Sequence, residues 1–377
     1  MQECYLPTGN EWVSLPTLQA CTGALESFSF LHMGHKGLIE QRGGASLPLM
    51  TPFFETEGER ASLQSLTWGR KSDWIPTFCG TAGSLAVEGM LLAPVGERGF
   101  LYQLTVRSTS DKPLSSTFGL EGCWASAWHC VNEDKEIDGA RRCYTSLWND
   151  SLIFDMRCGL PLFAFAPMMD QPCSSTFQET DAGIVYRLAH NCTLEPGQAV
   201  TVTFYWGVGF EEVAAATSAK EMLRQGWQHE LQVTTDWLDA RRWPIPDAQL
   251  ERLYNTNLFF CLFYSAGITL DTEELVLVTS RSQRYYVSAA YWDRDSLLWS
   301  FPTVVDADPA LARRMLDYVF GRQRRNLGVH SRYIDGTVLE PGFELDELMA
   351  PVLALERYVG ATGDRDCLED NAIRSGL

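Results

Sequence analysis

The residue types best suited to chemistry lie in two short clusters, and the first contains Tyr291, Trp292, Arg294 and Asp295. A guanidinium and a carboxylate can bind adjacent hydroxyls of a polyhydroxylated ring, while an aromatic face packs against the apolar side of that ring. Helix capping explains the same pattern without a ligand, with Asp293 as N-cap and Asp295 interacting with the helix dipole. The first cluster alone leaves both interpretations open.

The second cluster, residues 340–347, places Glu344, Asp346 and Glu347 in the first turn of a predicted helix. The helix dipole accounts for one or two acids at such a position. A denser group of acids beside an aromatic residue favours a polar pocket. We therefore predict that this acidic cluster lines a polar pocket.

A further candidate is His330, which lies with Tyr333 and Asp335 in a long predicted loop just before the second cluster. Binding residues concentrate in loops at the rim of a pocket. A lone loop histidine is also often structural or merely solvated. We include His330 among the candidate binding residues with that alternative open.

The elements that must position these clusters change in character along the chain. From about residue 11 to residue 210, short runs with period-two alternation are bounded by turn residues, which predicts a large antiparallel β-sandwich. The clearest runs are residues 101–107, 115–120, 151–157, 183–188 and 199–206. Residues 211–245 then have a helical pattern and predict a linker of one or two helices.

Helical periodicity predominates after residue 246, beginning with Asp247 as an N-cap. The predicted helices are residues 247–266, 293–305, 308–325 and 344–359, followed by a fifth from about residue 364. Gly360 is the predicted stop of the fourth. Long loops precede the second and fourth helices, and apolar faces at residues 297–299 and 348–354 indicate that these two are inner helices of an α/α-barrel.

The predicted fold is therefore multidomain β + α. It comprises an antiparallel β-sandwich at residues 1–210, a helical linker at 211–245, and the first helices of an incomplete (α/α)6 barrel at 246–377.

Composition excludes several classes of function. The formal net charge is −18 with only five lysines, so binding to nucleic acid or to an anionic membrane surface is not expected. No signal peptide or membrane-spanning stretch is seen, and we expect a cytoplasmic protein with free thiols. No phosphate-binding loop, dinucleotide fingerprint or metal-ligand spacing occurs, so neither a cofactor nor a metal is expected.

Three motifs together resemble those of the six-hairpin glycosidases. They are residues 291–296 (Tyr-Trp-Asp-Arg-Asp-Ser), residues 343–348 (Phe-Glu-Leu-Asp-Glu-Leu) and the Tyr-x-x-x-Thr-Gly-Asp segment that ends at Asp364. This superfamily includes glucoamylases, the glucosidase domain of glycogen-debranching enzymes and metal-independent exo-α-mannosidases.

The resemblance implies an exo-acting, inverting glycoside hydrolase whose substrate is an oligosaccharide or polysaccharide with α-linked glucose or mannose. It implies that Arg294 and Asp295 hold outer hydroxyls of the terminal sugar, and that Glu344 and Asp346 line the same pocket. Inversion requires two carboxyl groups roughly 6.5–9.5 Å apart. In the family the general acid comes from the sixth helix and the base from near the twelfth. Both are therefore expected beyond Leu377, so that the catalytic residues are unknown and the chain is expected to be a fragment.

Two alternatives stay open. A glycoside phosphorylase has the same order of sandwich, linker and barrel, but it requires a phosphate site. A non-catalytic carbohydrate-binding protein would use the sandwich instead, and binding of glycans by residues 1–210 alone would favour it.

The first prediction concerns turnover. We expect the 377-residue chain to hydrolyse aryl α-glycosides little or not at all, because neither expected catalytic carboxylate lies within it. Release of nitrophenol from aryl α-glucosides and α-mannosides measures this directly. Turnover by the chain that exceeds a buffer blank and disappears in Arg294→Ala would contradict the expectation.

Overall fold

The computed structural model describes residues 4–147 and 149–376, which divide into two compact units. Unit 1 comprises Met1–Phe28, Gln41–Trp128 and Glu136–Asp236, and unit 2 comprises Ser29–Glu40, His129–Lys135 and Trp237–Leu377. Residues 1–3, Trp148 and Leu377, which belong to the predicted sandwich and barrel domains, lie outside the described residues. The predicted boundaries at residues 210 and 245 stay predictions.

The chain up to residue 209 is built from short strands. They are β1 (Thr8–Gly9), β2 (Val13–Leu15), β3 (Ser27–His32), β4 (Gly37–Arg42), β5 (Thr51–Thr56), β6 (Glu59–Ala61), β7 (Leu63–Lys71), β8 (Ile75–Ala82), β9 (Leu85–Leu92), β10 (Gly99–Ser108), β11 (Leu114–Trp124), β12 (Ser126–Val131), β13 (Glu133–Glu136), β14 (Ala140–Thr145), β15 (Leu152–Cys158), β16 (Leu160–Met169), β17 (Ser174–Thr180), β18 (Gly183–Leu194) and β19 (Ala199–Gly209). Each of the five runs singled out by alternation falls on one of these strands, to within a residue.

Two antiparallel sheets lie wholly within unit 1. One has eight strands in the order β14-β15-β16-β19-β10-β9-β8-β7, and the other has five in the order β17-β18-β11-β5-β6. Their facing sides share an aromatic core. Tyr186 of the five-stranded sheet meets Phe154 and Trp206 of the eight-stranded sheet at ring-centroid distances of 5.2 and 5.6 Å. Several antiparallel sheets combined with helices confirm the mixed β and α class.

Helix α1 (Glu212–Gln225) lies in unit 1, and α2 (Trp227–Asp239) begins in unit 1 and continues past Asp236 into the first residues of the last segment of unit 2. Glu211 is the N-cap of α1 and accepts a hydrogen bond from the Ala214 N–H at 2.9 Å. Small residues let α1 lie directly on β16 and β19: a Cβ placed on Gly207 would lie 2.1 Å from the Ala215 carbonyl oxygen. The glycine is required by this close approach of two backbones.

Unit 2 is mostly helical. Its C-terminal elements are α3 (Ala248–Tyr264), β20 (Ala266–Ile268), β21 (Leu275–Leu277), a first π-helical segment (Arg294–Ser300), α4 (Phe301–Ala307), α5 (Pro309–Tyr318), a second π-helical segment (Val319–Gln323), a 3₁₀ turn (Arg324–Asn326), β22 (Val329–Arg332), β23 (Val338–Phe343), α6 (Leu345–Thr362), a second 3₁₀ turn (Asp366–Glu369) and α7 (Asn371–Gly376). Asp247 caps α3 as predicted, and its side chain accepts from the backbone N–H groups of Gln249 and Leu250.

Three details differ from the sequence-based expectation. The fourth predicted helix continues past Gly360 and ends at Thr362, followed by the capping residue Gly363, whose φ of 73° is left-handed. The long loop that contains His330 holds the hairpin β22–β23. The apolar residues of α6 include five exposed side chains, so the predicted buried inner face is not closed within the described residues: Leu345, Leu348, Met349, Val352 and Leu353.

A complete (α/α)6 barrel is therefore not seen, and the barrel assignment is a proposal taken up below. Within residues 4–147 and 149–376, no helix has the length and apolarity needed to cross a membrane.

The close packing of α1 generates the second prediction. Gly207→Ala places a methyl group 2.1 Å from the Ala215 carbonyl oxygen and 2.3 Å from the Ala219 nitrogen, both backbone atoms. We expect the free energy of unfolding to fall by roughly 1–3 kcal/mol, as for an overpacked core. Urea denaturation followed by tryptophan fluorescence measures the change.

Gly360→Ala is the matched control. Nothing lies within 4 Å of a Cβ at Gly360 in α6, so this substitution should be neutral or stabilise by up to about 1 kcal/mol. Equal effects of the two substitutions would show that the contact between α1 and β19 does not depend on the missing Cβ.

Candidate functional site

An ion pair between two fully buried side chains lies at the base of the candidate site. Arg332 Nη2 donates to Asp293 Oδ2, and the Tyr291 hydroxyl donates to Asp293 Oδ1 at 2.5 Å. The backbones of Tyr291 and Arg332 also exchange two hydrogen bonds, at 2.9 and 3.0 Å. Breaking a buried pair by removing one partner typically costs about 3–5 kcal/mol. The start of the first π-helical segment is therefore held firmly against β22.

Glu347 attaches the same segment to α6. Its side chain is fully buried, and Oε2 accepts from the Asp293 N–H at 2.6 Å and from the Arg294 N–H at 3.4 Å. Burial, reinforced by the charge of Asp293, raises the pKa of Glu347 to about 8. A raised pKa is typical of a general acid, but a carboxyl group without exposed surface cannot reach a substrate oxygen. Glu347 positions the segment instead.

Arg294 lies at the centre of a group of acids. Its Nη1 donates to Asp346 Oδ2 at 2.6 Å and to Glu344 Oε2 at 3.1 Å, and Nη2 is 3.6 Å from Glu347 Oε1. The hydrogen bond to Asp346 and the charge of Glu347 raise the pKa of Arg294, and the same hydrogen bond lowers the pKa of Asp346. His330 Nδ1 lies 2.8 Å from Glu344 Oε1 and lowers the pKa of Glu344.

Asp295, whose Oδ1 lies 3.9 Å from Arg294 Nε, lines a cavity of about 430 Å³. Its Oδ2 accepts from the Thr279 hydroxyl at 3.4 Å, and burial raises the pKa of the carboxyl group. The cavity is lined by three aromatic residues, four serine or threonine residues and two charged residues: Phe260, Tyr285, Trp299, Thr279, Ser280, Ser282, Ser300, Arg284 and Asp295.

The cavity has the chemistry of a site for a small neutral polyol. Its volume falls within the range of about 300–1,000 Å³ found for small-molecule sites. A carboxylate accepts hydrogen bonds from ligand hydroxyls, a guanidinium donates to them, and aromatic faces pack against C–H groups. Trp299 and Tyr285 are 62% and 38% exposed, so that part of each ring is accessible.

The structure separates the residues predicted to bind. Arg294, Glu344, Asp346 and His330 meet in one polar network, whereas Asp295 alone of the predicted set lines the cavity. Tyr291 is fully buried with its hydroxyl bound to Asp293.

Trp292 is buried as well, and its ring meets the edge of the His330 ring at 5.7 Å between centroids. The aromatic surface of the cavity is instead supplied by Phe260, Tyr285 and Trp299.

Several residues of the site are absent from the sequence-based set. Trp299 could have been found, because it follows Asp295 by one helical turn and so shares its helix face. Thr279 and Tyr285 lie in the long loop before the first cluster and carry no motif. Arg332 has no sequence signal that links it to Asp293, because their pairing depends on the register of β22.

No protein-family model matches the sequence, and no curated protein matches it either. Many solved structures are similar in fold, among them two that align with nearly the whole chain. One is assigned as a kojibiose phosphorylase from the human microbiome, with a TM-score of 0.61, 11% identity, and coverage of 98% of this chain and 55% of that chain. The other is a bacterial glucoamylase in complex with acarbose, with a TM-score of 0.56, 11% identity, and coverage of 99% and 60%.

The chain spans less than two thirds of the length of either protein. At this level of identity the likeness concerns the fold alone. The likeness is one of architecture, in which antiparallel sheets are followed by helices.

The third prediction follows from the raised pKa of Glu347. The pKa is about 8 in the folded chain against an ordinary value of 4.5, so the folded state holds the proton more tightly than the unfolded state. The stability that this proton contributes is complete below about pH 4.5 and is lost as the pH rises through about 8.

Glu347→Gln keeps the side chain neutral, so the variant should gain stability relative to the wild type as the pH rises from 4.5 to 8, by at most about 1.4 kcal/mol per pH unit. Urea denaturation at several pH values measures the difference. Glu356→Gln, at an exposed position of the same helix, is the control and should show no such trend. A difference for Glu347→Gln that does not vary with pH would contradict the assignment.

Proposed function

We propose that this chain is the sugar-holding portion of an exo-acting, inverting glycoside hydrolase for α-linked glucosides or mannosides. The observation that carries the proposal is the convergence of Asp295 with three aromatic residues and four serine or threonine residues on one cavity of about 430 Å³. The ligand is one terminal sugar residue of an oligosaccharide or polysaccharide. In the proposal, residues 1–210 are the sandwich, 211–245 the linker, and 246–377 the first helices of an (α/α)6 barrel.

Asp295 is the principal hydrogen-bond acceptor for the sugar in this proposal. The Asp295 side chain is only 12% exposed, and a carboxylate in such a place makes charge-assisted hydrogen bonds, which are roughly twice as strong as neutral ones. The Thr279 hydroxyl already donates a hydrogen bond to one of the two Asp295 oxygens, Oδ2, at 3.4 Å. Trp299, one helical turn further on, provides the face on which the sugar ring packs.

Arg294 supports this pocket from its edge. Its Nε lies 3.9 Å from Asp295 Oδ1, while Nη1 is bound by Glu344 and Asp346. A sugar hydroxyl that reached Arg294 would exchange with one of these two acids, of which Asp346 is the more exposed. The acids therefore hold the guanidinium in place, with Glu344 in turn held by His330.

The general acid and the general base are not assigned to residues of this chain. Glu347 has a suitable pKa but no exposed surface. The proposal therefore concerns the binding of the terminal sugar, and cleavage needs carboxyl groups from elsewhere in the assembled enzyme.

The fourth prediction tests the cavity by binding rather than by turnover. The probe is acarbose, the ligand of the structurally similar glucoamylase. We expect saturable binding by the chain, with quenching of tryptophan fluorescence because Trp299 lines the cavity. Asp295→Asn and Trp299→Ala should each weaken binding at least about tenfold, which corresponds to one lost charge-assisted hydrogen bond or one aromatic contact.

The matched controls change a carboxylate and a tryptophan that lie outside the cavity. Asp366→Asn changes an exposed carboxylate, and Trp243→Ala removes a partly exposed tryptophan, neither of which lines the cavity. Both should bind acarbose as the wild type does. Unchanged affinity in Asp295→Asn and Trp299→Ala, or equal losses in the controls, would overturn the proposal.

A further inference from the structure

A second cavity, of about 730 Å³, lies elsewhere in unit 2 and shares no lining residue with the cavity at Asp295. It is formed by the start of β21, by one side of α5 and the turns that follow it, and by the turn between β22 and β23. Its lining is dominated by charged groups: Glu274, Arg314, Asp317, Arg322, Arg325 and Asp335. The cavity offers little aromatic surface on which a sugar ring could pack. Its charged lining indicates a charged ligand instead.

Each of the three acids in this cavity already has a cation as partner. Arg322 Nη2 donates to Glu274, and the Asp317 carboxylate lies 3.0 Å from Arg313 Nε. Asp335 Oδ2 lies 2.9 Å from Lys36 Nζ. These pairs neutralise the negative side of the cavity.

Two arginines are left over. Within residues 4–147 and 149–376, the side chains of Arg314 and Arg325 form no ion pair and no hydrogen bond, although both residues line the cavity. They lie about three helical turns apart along α5 and the turns that continue it, on the side that also presents Tyr318 and Gly321. In a chain of net charge −18, this cavity therefore combines two uncompensated positive charges.

The opposite wall of the cavity is held in a defined geometry. Gly336 has a φ of 83°, and a Cβ there would lie 2.5 Å from the Arg322 carbonyl oxygen, so the β22–β23 turn lies tightly against the second π-helical segment. The Asn326 side-chain amide donates to the Gly336 carbonyl at 2.7 Å, and the Thr337 hydroxyl donates to Asp335 at 2.6 Å. The cavity is therefore built before any ligand arrives.

We propose that this cavity binds a phosphate group, either as inorganic phosphate or as the phosphate of a sugar phosphate, through Arg314 and Arg325. A guanidinium presents parallel N–H donors that match phosphate oxygens, and two guanidiniums match the double charge of a phosphate near neutral pH. The Thr337 hydroxyl also lines the cavity, but its proton is donated to Asp335, so the two guanidiniums are the donors in this proposal. The site is separate from the proposed sugar pocket and does not depend on it.

Isothermal titration calorimetry on the full chain tests the proposal, with inorganic phosphate and glucose 1-phosphate as probes at constant ionic strength. We expect saturable binding of at least one probe. Arg314→Ala and Arg325→Ala should each weaken it at least about tenfold, and Arg314→Lys should weaken it less because the charge is kept. Binding of both probes identifies the phosphate group as the recognised element, and binding of glucose 1-phosphate alone identifies a sugar phosphate.

Arg252→Ala is the matched control, because it removes an exposed arginine of α3 that lies outside the cavity. It should leave phosphate binding unchanged, as should Asp295→Asn in the sugar pocket. Absence of saturable binding by the wild type would overturn the proposal. An equal loss of affinity in Arg252→Ala would also overturn it, because any surface arginine would then contribute equally. Unchanged affinity in both Arg314→Ala and Arg325→Ala would overturn it too, because phosphate would then bind elsewhere.

Discussion

The charges of Asp293 and Arg332 lie where solvent does not reach them, and the geometry of the candidate site depends on their pairing. A carboxylate in such a place is tolerated only with a cation and full hydrogen bonding, and Tyr291 supplies the remaining donor. Because the pair joins residues far apart in the chain, the first π-helical segment and the β22–β23 hairpin must come together. The positions of the side chains that follow Asp293 are fixed by this ion pair.

Neighbouring acids in this part of the chain consequently have different tasks. Glu347 is buried against backbone N–H groups and holds the segment, whereas Asp346 one residue earlier is half-exposed and binds Arg294. Asp293 is enclosed by its partners, whereas Asp295 faces a cavity. Whether an acidic side chain supports the segment or is accessible to a ligand therefore depends on its position in the folded element and not on its residue type.

Sequence patterns were informative where local physics decides the outcome. Alternation located β10 and β19, and Asp247 was recognisable as a helix cap because both signals depend on nearby residues alone. The acids of α6 show the limit. Glu344, Asp346 and Glu347 look alike at the start of a helix, and only the packing of α6 against the first π-helical segment buries Glu347. Similarly, the aromatic residues that line the cavity come from separate elements, and the spacing of residues in the sequence does not show that these elements meet.

The first π-helical segment, Arg294–Ser300, gives the site an unusual sensitivity to chain length. Its hydrogen bonds span five residues, as shown by the Phe301 N–H bound to the Ser296 carbonyl, so the segment holds one residue more than an α-helix of equal span. Loss of a single residue there would restore α-helical winding and change the angular position of the residues that follow the deletion relative to Asp293, with Trp299 among them for a deletion early in the segment. The alignment of Asp293 with the residues that line the cavity therefore depends on one extra residue. Related chains without this residue would present different side chains to a ligand.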